Sequence, residues 1–187
     1  MPADTHSAPP KLLLVDDEKE VADAYALRLE GVADVTITYS GEEALSTVDP
    51  AAPPDVVLLD RHMPGLSGDE VLTELREMEM RTRVIMVTAI DPGLDILDLP
   101  FDEYLCKPVE REDVRAAVDQ QCQVLAYELL GEYFQLESKR AVIEAELPPE
   151  TLEDHEEFGE LDDRTDQLRD RASRLLSDAD ELLSAFA

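Results

Sequence analysis

Five short apolar runs punctuate the first 107 residues, and four of them stop at a side chain able to carry chemistry. They are Lys11-Leu12-Leu13-Leu14-Val15 before Asp16-Asp17, Val35-Thr36-Ile37-Thr38, Asp55-Val56-Val57-Leu58-Leu59 before Asp60, Val84-Ile85-Met86-Val87 before Thr88, and the weaker Tyr104-Leu105-Cys106 before Lys107. Apolar runs without polar alternation fit strands buried on both faces of a parallel sheet. Between them lie residues at helical spacing: Val21, Ala22, Tyr25, Ala26 and Leu29, then Gly41 to Val48, then Gly68 to Met78 with Val71, Leu72 and Leu75 inward. Strand–helix alternation of this length predicts a doubly wound α/β domain. The stretch from Ile90 to Pro100 holds Pro92, Gly93 and Pro100, so a fourth helix there is expected to be short or irregular.

In an open parallel sheet the carboxyl ends of the strands share one edge, and ligands bind there where the strand order reverses. With the flavodoxin-like order 2-1-3-4-5, the first and third strands are neighbours, and Asp16, Asp17 and Asp60 meet in one cleft. Their mutual repulsion calls for a cation, and an all-oxygen site with few protein ligands suits Mg²⁺. A strand-end carboxylate can attack phosphorus to form an acyl phosphate. A metal and a nearby lysine neutralise the transferring oxygens, and a threonine hydroxyl can bond the phosphoryl group once it has arrived. Taken singly, each residue has a plainer reading. Asp16-Asp17 cap the next helix, Asp60 opens a turn before Pro64 and Gly65, Thr88 is a strand residue, and Lys107 is a surface lysine.

The strings LLLVDDE, VVLLDRHMPGLSGDEVL, VIMVTA and YLCKPV, in that order, resemble the receiver domains of two-component response regulators. The resemblance covers about residues 11–110. It implies that Asp60 is the phosphoacceptor and that Asp16, Asp17, Asp60 and the backbone carbonyl of His62 hold Mg²⁺. By the same resemblance Thr88 is the switch hydroxyl, Tyr104 the switch aromatic and Lys107 the phosphate partner, with a cis Lys107–Pro108 bond. A sensor histidine kinase is the implied donor. Such receivers catalyse only their own phosphorylation and dephosphorylation, so the expectation is a signalling phosphoprotein and not an enzyme. Haloacid-dehalogenase-like phosphatases also use strand-end aspartates, but as D-x-D on the first strand, whereas here the acids are adjacent.

After Pro108 the pattern changes. No proline occurs from Glu110 to Leu147, and Cys122, Leu129, Leu136 and Ile143 are seven apart. Ala126, Tyr133 and Leu147 fall four after three of them, and Arg140 takes the remaining place. Pro148-Pro149 ends the helix, and Thr151 with Asp154 forms a capping-box pattern. Beyond it Leu161, Leu168, Leu175 and Leu182 are again seven apart, with Thr165, Ala172, Ala179 and Phe186 four after each. Two apolar stripes at heptad spacing predict an antiparallel α-helical hairpin. The segment YFQLESKRAVIEAEL and the acidic heptads after it resemble the HalX domain attached to receivers in halophilic archaea. The expected organisation is a disordered tail over 1–10, a receiver over 11–117 and a HalX-like hairpin over 118–187.

Net charge is −29 with a pI near 4.1, and the acid is spread over both halves. Only Lys11, Lys19, Lys107 and Lys139 are lysines. Such a surface repels itself and repels nucleic acid. It resembles proteins of salt-in halophiles, in which a Debye length of about 3 Å at molar salt screens the repulsion. Two cysteines, Cys106 and Cys122, have no metal or disulfide spacing and are expected to fill the core; His6 and His155 are expected at the surface. Met1 to Pro10 lacks the pattern of a signal peptide, and no run of eighteen apolar residues spans a membrane. A cytoplasmic location is expected. For the output, three readings stand side by side: a helical protein-interaction or self-association module, a DNA-binding regulator, and a simple phosphoryl carrier. Arg164, Arg169, Arg171 and Arg174 form the one basic cluster of the C-terminal half, interrupted by Asp166 and Asp170.

Overall fold

The computed structural model describes residues 8–89, 92–148, 151–152, 155–176 and 178–185. Most of the expected tail (residues 1–7), together with Pro149, Asp154 of the capping-box pattern and Phe186, lies outside the described residues. The chain forms two compact units, Pro9–Cys122 and a C-terminal unit beginning at Gln123.

In the first unit, strands β1 (Lys11–Val15), β2 (Asp34–Thr38), β3 (Val56–Leu59), β4 (Arg83–Thr88) and β5 (Glu103–Cys106) form one parallel sheet in the order β2-β1-β3-β4-β5. The order is the doubly wound one expected from the sequence. Helices α1 (Lys19–Arg28), α2 (Gly41–Thr47) and α3 (Gly68–Glu77) connect the first four strands. Between β4 and β5 the described residues hold only a 3₁₀ turn, η1 (Leu94–Ile96), as the Pro/Gly content of that stretch required. Helix α4 (Arg111–Glu146) starts in this unit and ends in the next.

Alternate strand residues face opposite sides of the sheet. Leu13, Val15, Val57, Leu59, Val84 and Met86 pack with Val71, Leu72 and Leu75 of α3 and Ala44 of α2. Leu12, Leu14, Leu58 and Ile85 take the other face, and there Ala22, Tyr25 and Leu29 around α1 and Val114 and Val118 of α4 are also buried. Each fully buried leucine or valine stabilises the fold by about 1.5–3 kcal/mol. Helix α3 is nucleated by a capping box: the Ser67 hydroxyl accepts from Glu70 N–H while the Glu70 carboxylate accepts from Ser67 N–H, satisfying two donors that a helix N-terminus leaves open.

In the second unit, Leu125, Ala126, Leu129 and Leu130 of α4 pack against Leu168 and Ala172 of α5 (Glu156–Leu175), with Leu176 and Ala179 completing the cluster. Arg164 pairs with Glu132 and Arg140 with Asp162. Partners thus step backward along α5 as α4 advances, so the two helices run antiparallel, as the two stripes predicted. Three details differ from the heptad expectation. Toward the end of α4 the stripe leaves the core, with Ile143 only partly buried and Leu147 43% exposed. Arg140, at a nominal seam position, lies among Glu137, Glu144 and Asp162. The return helix does not run unbroken through four repeats: Leu176 has extended backbone (φ −131°, ψ 121°), and a separate short helix, α6 (Ala179–Ala185), follows. At that break Leu176 is buried beside the partly buried Leu175, and Ala179 and Leu182 beyond it still pack on the same cluster. Cys122 is buried as expected, whereas Cys106 is exposed, since it closes β5, the sheet's edge strand.

Candidate functional site

Strand register brings the chemistry-bearing ends together. Val15 pairs with Leu59, Leu59 with Met86 and Met86 with Tyr104, so the residues just beyond that row lie along one edge of the sheet. The ladder extends past the strands: Asp60 N–H donates to the Val15 carbonyl at 2.9 Å, Asp16 N–H to Thr38 at 3.2 Å, and Lys107 N–H to Thr88 at 2.7 Å. The backbones that carry Asp16, Asp60 and Lys107 are therefore held by the sheet itself.

The Lys107 ammonium donates to Asp16 Oδ2 at 2.6 Å and to Asp60 Oδ2 at 2.9 Å. Both carboxylates are nearly buried, at 3% and 7% exposure. Asp16 Oδ1 accepts from Glu18 N–H at 3.0 Å, and Asp60 Oδ1 from His62 N–H at 3.4 Å. Burial raises the Asp16 pKa from its ordinary value, although the Lys107 hydrogen bond pulls the other way. Burial opposes the charge on Lys107, but its hydrogen bonds to Asp16 and Asp60 outweigh that and its pKa ends above the usual lysine value. Asp16, Asp17 and Asp60 each offer a carboxylate oxygen, and these oxygens lie within 4.8 Å of one another. Three oxygens so close, with one ammonium for counter-charge, fit a hard divalent cation such as Mg²⁺. The Lys107–Pro108 bond is cis.

The other site residues expected from the sequence, Thr88, Tyr104 and His62, are carried by β4, β5 and the loop after β3. Thr88 ends β4 and is 1% exposed. Tyr104, partly buried, packs against the core cluster and stacks at a tilt on Phe101, 5.6 Å between ring centres. The His62 side chain is exposed. Two further residues went unread in the sequence. Gly68, the first residue of α3, donates its N–H to Arg61 at 2.9 Å and sits against the Asp60 carbonyl. Arg61, 8% exposed, pairs with Asp69 and Asp95. A glycine opening a helix directly behind a strand-end acid was a usable signal for the first. Nothing local marked the second, whose partner Asp95 lies 34 residues away.

Comparison with known proteins agrees with this geometry. Residues 12–119 match the response regulator receiver domain family and residues 123–186 the HalX domain family. A Haloferax volcanii protein described as a transcriptional regulator is 40% identical over 160 residues, covering 84% of this chain and 27% of that protein. The alkaline phosphatase synthesis transcriptional regulatory protein PhoP of Bacillus subtilis is 36% identical over 112 residues, covering 58% of this chain and 46% of that one. Among solved structures, the BeF3-activated receiver domain of DrrB from Thermotoga maritima is similar with a TM-score of 0.55 and 26% identity, over 61% of this chain and 97% of that domain. The chain spans about a quarter of the Haloferax relative and about half of the bacterial one. No described helix is long and apolar enough to cross a membrane.

Proposed function

Since the chain belongs to the response regulator receiver family and carries a HalX domain behind its receiver, we propose that it accepts a phosphoryl group on Asp60 from a sensor histidine kinase and signals through its helical C-terminal domain. The observation that supports this most directly is the Lys107 ammonium between the carboxylates of Asp16 and Asp60, with Asp17 close by. In the transfer, a carboxylate oxygen of Asp60 attacks phosphorus. The bond from phosphorus to the donor nitrogen breaks, and the donor imidazole leaves with the electron pair. Lys107 holds positive charge where phosphoryl oxygens accumulate. The buried Thr88 at the end of β4 is the hydroxyl for the arrived group, and Tyr104 responds beside it. Asp16, Asp17, Asp60 and the His62 carbonyl are the proposed Mg²⁺ ligands; bound there, the cation neutralises phosphoryl oxygens. The receiver is expected over 11–117 and the output domain over 118–187, within a cytoplasmic protein that turns over no free metabolite.

Incubation with a small-molecule phosphoryl donor and Mg²⁺ should give one phosphoryl adduct by intact mass. Asp60→Asn should abolish it. A persisting adduct in Asp60→Asn would overturn the assignment.

A DNA-binding output has one point in its favour: relatives are named transcriptional regulators. Against it, two of the four arginines of the C-terminal cluster are engaged by acids: Arg164 pairs with Glu132, and Arg169 with Asp166 and Asp170. The phosphate attraction that drives most DNA binding would be weak on such a face. A protein partner or self-association is the reading we favour. Duplex binding in molar KCl that Arg169→Ala removes would reverse that preference.

A further inference from the structure

Arg61 follows the proposed phosphoacceptor directly, yet its side chain serves three other segments. Nε lies 3.0 and 3.2 Å from the two carboxylate oxygens of Asp69 in the first turn of α3, and Nη2 lies 3.1 Å from Asp69 Oδ2. Nη2 also donates to Asp95 Oδ2 in η1 at 2.5 Å. The same guanidinium lies close enough to the Tyr104 phenol to interact with it electrostatically. Hydrogen bonding to Asp69 and Asp95 raises the Arg61 pKa, and Arg61 in turn holds the Asp95 carboxyl below the usual carboxylate range. A planar fork can satisfy several acceptors at once where an ammonium cannot.

The turn held in this way is unusual for what it shows to solvent. Leu94 and Leu97 are 86% and 76% exposed, and Asp95 between them is tied to the buried guanidinium. Hence one side chain is tied to an exposed apolar turn and lies beside Tyr104.

We propose that Arg61 is a positioning residue for the switch: through Asp95 and the Tyr104 phenol it stabilises the resting arrangement, which phosphorylation must undo. This rests on the reading of Asp60 as phosphoacceptor and Tyr104 as responder. A contact made in only one of two states biases the equilibrium toward that state. Loss of the Asp95 carboxylate therefore favours the activated state. The Asp95 side chain is 59% exposed, so the bias is modest, about two- to fivefold in the equilibrium.

The test uses the full chain in molar KCl with Mg²⁺, titrated with beryllofluoride as the phosphoryl stand-in. Tyr104 is followed by fluorine resonance after fluorotyrosine incorporation. Asp95→Asn should reach half-saturation at about two- to fivefold lower beryllofluoride, and its unliganded Tyr104 signal should already lie toward the bound position. Asp95→Glu should restore both. An unchanged or raised midpoint in Asp95→Asn overturns the proposal. Arg61→Lys should act in the same direction; if it fails to fold, the solvent-facing Asp95 variants carry the test alone. A wild type that shows no response to beryllofluoride would remove the Asp60 reading itself, whereas a responsive wild type with an indifferent Asp95→Asn removes only the role of Arg61.

Discussion

A Cβ on Gly68 would stand 2.1 Å from the carbonyl oxygen of Asp60 and 2.8 Å from the Cα of Arg61. Helix α3 thus abuts the backbone of Asp60, the acid just beyond β3, with no room for any side chain. The glycine is what lets the helix start that close, and its N–H closes the turn on the Arg61 carbonyl.

Gly68→Ala should therefore push apart β3's end and α3. We expect a loss of about 1–3 kcal/mol in folding stability, as for other overpacked sites. Phosphoryl uptake should slow roughly tenfold or more, because displacement of a reacting group by a fraction of an ångström is costly. Denaturant unfolding and the initial rate with a small-molecule phosphoryl donor check both. A variant with wild-type stability and rate would mean that the backbone yields freely there.

Lys107→Ala leaves two nearly buried carboxylates without their ammonium. In Mg²⁺-free buffer this should cost about 3 kcal/mol, the usual penalty for orphaning one side of a buried pair. Added Mg²⁺ should return much of it, and should stabilise wild type too, by about 2.7 kcal/mol at a hundred times its dissociation constant. Thermal unfolding with and without the ion is the measurement. Mg²⁺ insensitivity in both proteins would speak against the proposed ligand set.

The Glu70 carboxyl is held below its ordinary pKa by hydrogen bonds from the Ser67 hydroxyl and the Ser67 backbone N–H. A group depressed in the folded state contributes stability above its unfolded pKa, here near 4.5, and loses it as pH falls through the folded value. Wild type should exceed Glu70→Gln in stability at neutral pH. The gap should close as the pH drops below 4.5. A gap independent of pH would place the effect outside the capping box.

Net charge of −29 should make stability rise with KCl, since screening removes self-repulsion. Melting temperature measured across a KCl series checks this. Full stability in dilute buffer would argue for an ordinary acidic protein.

Local pattern made most of the receiver readable. The buried strands announced themselves as apolar runs, and their terminal acids, Thr88 and Lys107 were visible because a parallel sheet puts all carboxyl ends on one edge. The Ser67–Glu70 box has the S/T-x-x-D/E spacing also present at Thr151 and Asp154, and so was legible locally. Arg61 was invisible for a physical reason: its meaning comes from Asp69, Asp95 and Tyr104, which only tertiary folding assembles. The hairpin was foreseeable from two stripes, but seven-residue spacing counts positions on one continuous helix. It has no means of signalling a backbone that turns extended at Leu176, nor an edge strand that leaves Cys106 outside.

That extended residue divides the hairpin's return arm unequally. Helix α5 has 20 residues and α6 has 7, and isolated helices shorter than about 12–15 residues are marginal in water. Helix α6 therefore owes its existence to the packing of Ala179, Leu182 and Leu183. Amide exchange should then be graded along the arm, fast in α6 and slow where Leu168 and Ala172 meet α4, because local opening needs less free energy where fewer apolar groups are covered. The C-terminal end of the return arm should thus open on its own, well before the rest of the hairpin does.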